Sequence, residues 1–247
     1  MKDIICGESY RRVRHVQCLF CGGESPVHVL DVAYGMKASI AHCPNCNFEY
    51  QTPQPSERAT EAYMDWRWDK GKDKYVVSPW WQLKNAGDHL ELIEPTINKD
   101  MKILDFGAGA GAFVATARQK GYDIVGCDQS SGARRAAERL HKTVIESSMP
   151  TGRFDCITMW DVVEHLKDPE KTLRWLGRHL NPGGLLIMET GNWEHCNGPG
   201  WGLYMFDHQY YYTPYSLEQL TSGLGFSDYK ILSEDRVFVA VCKRMWK

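Results

Sequence analysis

The chain has 247 residues, nine cysteines and a formal net charge of −2, which is long for one average domain. Hydrophobic content of 43% and charged content of 24% exclude a globally disordered chain, and the near-neutral balance excludes a broad basic field for nucleic acid or anionic lipid. Apolar runs such as Leu185–Met188 are far shorter than the roughly 18 residues of a membrane span. The opening MKDIICGESYRRVRHV lacks the apolar stretch of a secretory signal, so the expected compartment is the cytoplasm, where thiols stay reduced.

Four cysteines stand as Cys18-x2-Cys21 and Cys43-x2-Cys46, with 21 residues between the pairs. Each CxxC turn aims two thiolates at one point, and two such turns complete a tetrahedron around Zn²⁺ with no position open for catalysis. Short strands are expected at Val27–Val32 and Ser39–His42, making residues 1–55 a structural zinc ribbon. His42 reads as a neighbour of the metal and not as a ligand. Pro53 and Pro55 mark a linker. Residues 56–98 follow as a helical region rich in aromatics, including Tyr63, Trp66, Trp68, Tyr75, Trp80 and Trp81. These rings either pack the ribbon against the next domain or form a lid over a ligand; both readings stay open.

From residue 99 to 247, strands and helices alternate. Strands are expected at Lys102–Phe106, Asp123–Asp128, Thr143–Glu146, Phe154–Trp160, Leu185–Thr190, Asp228–Ser233 and Arg236–Cys242. Helices are expected at Gly111–Lys120, Ser130–Leu140 with Ser130 as cap, Pro169–Leu180 and Ser216–Gly223. This is an α/β pattern: a Rossmann-like, doubly wound sheet of seven strands with helices on both faces. The last two strands are joined by only a turn and cannot be parallel neighbours.

The first of these strands runs into Asp105-Phe106-Gly107-Ala108-Gly109-Ala110-Gly111-Ala112. Glycines there let the backbone approach a ligand and turn into a helix N-terminus. Gly107, Gly109 and Ala112 also satisfy the dinucleotide pattern, with Asp128 about 20 residues on, so an NAD-dependent oxidoreductase is an alternative. Asp105 argues for a cationic ligand end, such as that of S-adenosylmethionine (SAM), because a carboxylate there repels a pyrophosphate. The GxGxG spacing and the turn Asn181-Pro182-Gly183-Gly184 before the fifth strand point the same way.

ILDFGAGAGAF, IVGCDQS, FDCITMWDVVEHLKDP and HLNPGGLLIMET, in that order, resemble the successive motifs of class I SAM-dependent methyltransferases. The resemblance covers about residues 100–245 and implies the class I fold and methyl transfer. The segment from His208 through YYYTPYSLEQLTSGLGF is similar to the small-molecule branch of that family. A zinc ribbon ahead of the core resembles sugar C-methyltransferases. That implies a small-molecule acceptor, a sugar or another intermediate of surface-polysaccharide or natural-product biosynthesis. By the same resemblance Asp105, Gly107, Ala108 and Gly109 contact the methionine and ribose portions of SAM. Asp128, with Gln129 beside it, accepts the ribose hydroxyls. Ser148 and Met149 lie where adenine is gripped, and Trp160 borders the methionine side.

Methyl transfer needs alignment and, for a protonated nucleophile, a base. His208 resembles the histidine expected to serve as base in sugar C-methyltransferases, with Tyr204 beside it in the aromatic loop. Asp161, Glu164 and His165 would share one face of a helix by their spacing. A similar arrangement binds a divalent metal in some quinone and RNA-end methyltransferases, and His165 can otherwise face substrate. Some RNA methyltransferases carry an N-terminal zinc ribbon, so an RNA acceptor is a further alternative. Residues 1–60 hold six Lys/Arg against six Asp/Glu, which leaves no surplus charge for phosphates. A non-enzymatic scaffold would tolerate a damaged glycine loop; Asp105 to Gly111 is intact.

Overall fold

The computed structural model describes residues 14–32, 36–70, 78–196 and 205–245. Strands β1 (Val27–Val32), β2 (Met36–Cys43) and β3 (Phe48–Gln51) form an antiparallel meander, with Cys43 and Cys46 at its β2–β3 turn and Cys18 and Cys21 in the turn before β1. Helices α1 (Glu57–Lys70) and α2 (Pro79–Ile93) follow. Then come β4 (Lys102–Phe106), α3 (Ala112–Gln119), β5 (Asp123–Cys127), α4 (Ser131–His141) and β6 (Phe154–Trp160). The chain continues through α5 (Pro169–His179), β7 (Leu180–Gly191) and the single turn α6 (Trp193–Cys196). It ends with β8 (Tyr210–Tyr211), α7 (Pro214–Gly223), β9 (Phe226–Glu234) and β10 (Val237–Arg244).

The larger sheet has the order β5-β4-β6-β7-β10-β9. β5, β4, β6 and β7 are parallel, while β10 runs antiparallel between β7 and β9. Period-two alternation sorts its core. Ile103, Ile124, Leu185 and Ile187 face α2 and α3, where Leu90, Ile93, Phe113, Val114 and Ala117 are buried. Leu104, Ile157, Leu186 and Met188 face α5 and α7, with Leu173, Leu176, Leu217 and Leu220. Helix starts follow the sequence: Ser130 accepts from Ala133 N at 3.1 Å, Asp168 from Lys171 N at 3.0 Å, and Thr213 forms a capping box with Ser216.

The expected seventh strand, Thr143–Glu146, does not form. It contributes one parallel bridge, Cys127 to Glu146, at the sheet edge. Lys142 ends α4 in the left-handed conformation, Thr143 N still bonds back to Ala137 O, and a bend at Ser147 follows at once. Too few residues remain extended for a ladder. The turn expected at Asn181–Gly184 is a bulge within β7, where β6 pairing jumps from Phe154–Leu180 to Cys156–Leu185.

The cysteine-bearing meander is not a separate bead. β8 pairs with β3 as Glu49 to Tyr211 and Tyr50 to Tyr210, adding a fourth strand from the far end of the chain. Cys18, Cys43, Phe48 and Tyr50 share one core cluster with Tyr212, Leu217 and Leu173. Among the described residues no helix is long and apolar enough to cross a membrane.

Gly126 packs where a Cβ would lie 2.8 Å from both Ile145 and Val114 side-chain atoms and 2.9 Å from Ala108. Gly126→Ala is expected to lower the free energy of unfolding by about 1–3 kcal/mol through overpacking. Urea denaturation checks this, and an unchanged midpoint contradicts the packing.

Candidate active site

The cleft opens at the C-terminal edge of the parallel strands, the side where open α/β sheets bind ligands. On β4, Asp105 is 2% exposed and accepts from Thr158 Oγ1 on the neighbouring β6 at 2.8 Å. Burial pushes its carboxyl up to about 7, against the opposing effects of Thr158 and His89. The loop after it is tied down by Gly107 N and Ala108 N, which both donate to Cys127 O at 2.9 and 3.0 Å. Gly107 and Gly109 have φ of 77° and 53°. A Cβ on Gly107 would sit 2.6 Å from Val162, and one on Gly109 would sit 3.1 Å from the Trp68 ring. Only glycine fits both the dihedrals and the space.

Asp128, just beyond β5, accepts from Gly109 N and Ser130 N at 2.8 Å each, joining the glycine loop to the start of α4. Helix α1 closes over this point. Asp65 accepts from Ser130 Oγ at 2.7 Å, Ser131 Oγ at 2.8 Å and Gly132 N at 3.0 Å, an anion at a helix N-terminus. Despite burial, those donors keep its carboxyl below the usual range. Gln129, Ser148 and Met149 line the same cleft. Trp160 lines it too, stacked face to face on His89 of α2 with ring centroids 4.0 Å apart. His89 Nε2 meets Glu189 Oε2 of β7 at 2.8 Å.

Across the cleft, Asp161 has φ of 52° and leads into a single 3-10 turn, Val163–His165. The helical face expected for Asp161, Glu164 and His165 is therefore absent. Asp161 is not one of the groups whose ligand atoms converge there. Glu164, His165 and His208 instead converge, each offering a ligand atom within 4.8 Å of the others. The two imidazoles meet edge to face at 4.7 Å. His165 Nδ1 lies 3.0 Å from Asp207 O and 3.4 Å from Asp207 Oδ2, and Arg67 of α1 lies 3.9 Å from the same carboxylate. Burial raises Glu164, 3% exposed, to about 8, with Glu189 and Asp207 adding to the effect; Asp161 itself is exposed at the cleft. Tyr204 and Tyr75 lie outside the described residues.

The Sγ atoms of Cys18, Cys21, Cys43 and Cys46 lie within 4.8 Å of one another. Gly22 N donates to Cys18 O at 2.8 Å and Asn47 N to Cys43 O at 2.9 Å, closing the two turns. Four converging thiols from two such turns fit a tetrahedral metal. Cys127, Cys156 and Cys242 are buried free thiols of the large sheet; Cys6 lies outside the described residues.

The profile of the methyltransferase domain family matches residues 81–231. The chain belongs to that family. A ubiquinone biosynthesis O-methyltransferase of Erwinia tasmaniensis is 26% identical over 161 residues, covering 56% of this chain and 65% of the relative. The chain thus spans less than two-thirds of that relative's length. Among solved structures, a SAM-dependent methyltransferase of Thermotoga maritima aligns with TM-score 0.55 at 16% identity, over 69% of this chain and 97% of the other. The magnesium protoporphyrin IX methyltransferase of Synechocystis PCC 6803, solved with bound SAM, aligns with TM-score 0.53 at 13% identity, over 75% and 96%. At these identities the likeness is one of fold.

Within this site the sequence reading missed Asp65, Arg67, His89 and Glu189. His89 and Glu189 are 100 positions apart, so no spacing could pair them. Trp68 stood among the flagged aromatics, but nothing local placed it over Gly109.

Asp105 and Glu164 hold protons up to about 7 and 8 in the folded protein, against about 4 when unfolded. Between those values the folded state binds more protons than the unfolded one, so stability falls as pH rises. The urea midpoint is expected to drop between about pH 5 and about pH 8, and Glu164→Gln is expected to flatten the decline. Equal slopes for the variant and the parent protein would contradict burial as the cause.

Proposed function

We propose that this protein transfers the methyl group of SAM to a small-molecule acceptor held against His208 and His165. One observation carries the reading: the glycine loop with Asp105 and Asp128 and the pair His165–His208 line a single cleft. Asp128 stands at the strand end with a carboxylate suited to ribose hydroxyls. The Asp105 carboxyl, which a cation beside it would draw back toward ionisation and a pyrophosphate would not, favours a cationic cofactor end. Gly107, Ala108, Gly109 and Gln129 supply backbone around that position, Trp160 walls the methionine side, and Ser148 and Met149 flank the adenine side. Bound SAM supplies an electrophilic methyl on a sulfonium.

The chain's own residues then align the acceptor and take its proton. With Nδ1 donating to Asp207 O, His165 keeps Nε2 as the acceptor nitrogen. His208 is the base, 9% exposed on the cleft wall. The Asp207 carboxylate behind the pair is held below its usual range: burial is outweighed by His165, His208 and Arg67. It can therefore stabilise an imidazolium. The acceptor class follows the curated relatives' naming as O-methyltransferases acting on a small molecule; a sugar acceptor remains the narrower reading suggested by the ribbon. The four-cysteine site takes structural Zn²⁺, and its segment offers no excess cationic charge for RNA.

Calorimetry is expected to show binding of S-adenosylhomocysteine and none of NADH, with Asp128→Ala weakening the former. His208→Ala should keep that affinity and lose about 10²–10⁴-fold in transfer from methyl-labelled SAM to a low-molecular-weight cell extract. Absence of heat with either SAM or its demethylated product sinks the proposal; full transfer by His208→Ala sinks the choice of base.

The convergence of Glu164, His165 and His208 favours a second reading, in which a divalent cation there holds the acceptor oxygen. Mn²⁺ binding followed by paramagnetic resonance and lost in Glu164→Gln, together with transfer by the zinc-loaded protein that rises on adding Mn²⁺ in the parent but not in that variant, would establish it. Transfer unaffected by Mn²⁺ leaves the histidine base in place.

A further inference from the structure

The cysteine-bearing meander touches the acceptor side of the cleft through one short strand. β3 begins two residues after Cys46 and ends at Gln51. Gln51 N donates to Gln209 O at 2.8 Å. Its side-chain amide, 2% exposed, faces two carbonyl oxygens, His208 O at 2.8 Å and Phe206 O at 3.3 Å, which assigns its nitrogen, the donor, to that side. On the other side of the same loop, Gln209 N donates to Glu164 O at 2.7 Å. Phe48 of β3 stacks on Tyr210 at 6.2 Å and meets Tyr212 at 5.8 Å, so side chains repeat what the backbone does. Further clamps flank the strand. Trp193 Nε1 donates to Glu49 Oε2 at 2.7 Å, Arg14 donates to Lys167 O at 3.1 Å, and Lys167 Nζ donates to Pro55 O at 2.6 Å.

This module spends the β3 edge of its sheet and the side chains of Phe48 and Tyr50 on the neighbouring domain. We infer that the four-cysteine knuckle is a brace for the acceptor-side loop, and that Gln51 is the positioning residue through which it holds His208. The backbone carbonyls of Phe206 and His208 are the groups gripped, so the imidazole is oriented without being touched. Metal held between Cys43 and Cys46 keeps the turn that feeds β3, and β3 in turn keeps the loop. The inference rests on the proposed role of His208, but its test does not need turnover.

Hydrogen–deuterium exchange and ¹⁵N imidazole resonances would be compared between the zinc-loaded parent protein, Gln51→Met, and the parent protein after zinc removal by chelation. Exchange in residues 205–212 is expected to rise about tenfold in both perturbed samples, while residues 103–128 stay within about twofold. The resonances of His208 and His165 should move, and those of the remote His141 and His179 should not. Affinity for S-adenosylhomocysteine should be unchanged. Unaltered exchange in 205–212, or an equal rise in 103–128, overturns the inference. So does a parent protein that neither carries nor takes up zinc. If Gln51→Met does not fold, the chelation arm decides alone. Loss of transfer in His208→Ala with these readouts unchanged would count against the brace only, and the converse against the base only.

Discussion

Parallel pairing of β4 with β5 and β6, and of β6 with β7, puts the ends of four strands on one edge of the sheet. Asp105 is registered opposite Gly126 on one side and Thr158 on the other, and Trp160 opposite Glu189. Every chain that leaves such an edge must make a long crossover before it returns. The loops at that edge are therefore free to carry ligand groups while the crossovers carry the core. The glycine loop, Asp128, the Asp161–His165 turn and Glu189 all owe their proximity to this constraint.

Around that edge the protein tolerates unusual electrostatics. Asp105, Glu164, Glu189 and Asp207 lie buried together, with His89, His165, His208 and Arg67 among them. An apolar interior would be more stable, since burying ionisable groups is costly unless they are paired or neutralised. Here both remedies occur. Glu164 holds its proton, while Asp207 stays ionised beside Arg67, His165 and His208. Such concentrations of perturbed groups in a cleft mark functional sites more often than structural ones.

Two further layers close the cleft, and each is a long-range contact. Helix α1 is latched by Asp65 onto α4 and lays Trp68 over Gly109. The cysteine-bearing sheet is completed by β8, so residues near position 50 and residues near position 210 form one structural unit. The aromatic helix thus serves as packing and as cover at once, through different side chains: Tyr63 against Phe206, Trp68 over the loop.

Local chemistry made much of this legible from the amino-acid order. The two CxxC turns, the glycine loop with Asp105 and Asp128, the Ser130 cap and the alternation of strands and helices are all short-range patterns. They depend on dihedral freedom, capping and period-two burial, which neighbours in the chain specify. The failures share the opposite cause. Thr143–Glu146 has strand-like residues, but its fate was decided by the bend that follows and by an edge with one partner. Asp161 looked like one face with Glu164 and His165, but a left-handed residue and a single 3-10 turn stand where the helix was expected. The pairings of His89 with Glu189, Asp65 with Ser130 and Gln51 with the His208 loop join residues too distant for any spacing rule. Sequence alone determined the family pattern, the paired cysteine turns and the glycine loop, because each is written in a few adjacent residues. Only the tertiary structure decided which distant side chains neutralise, cover and brace the site, because those contacts exist only after the sheet brings its strand ends to one edge.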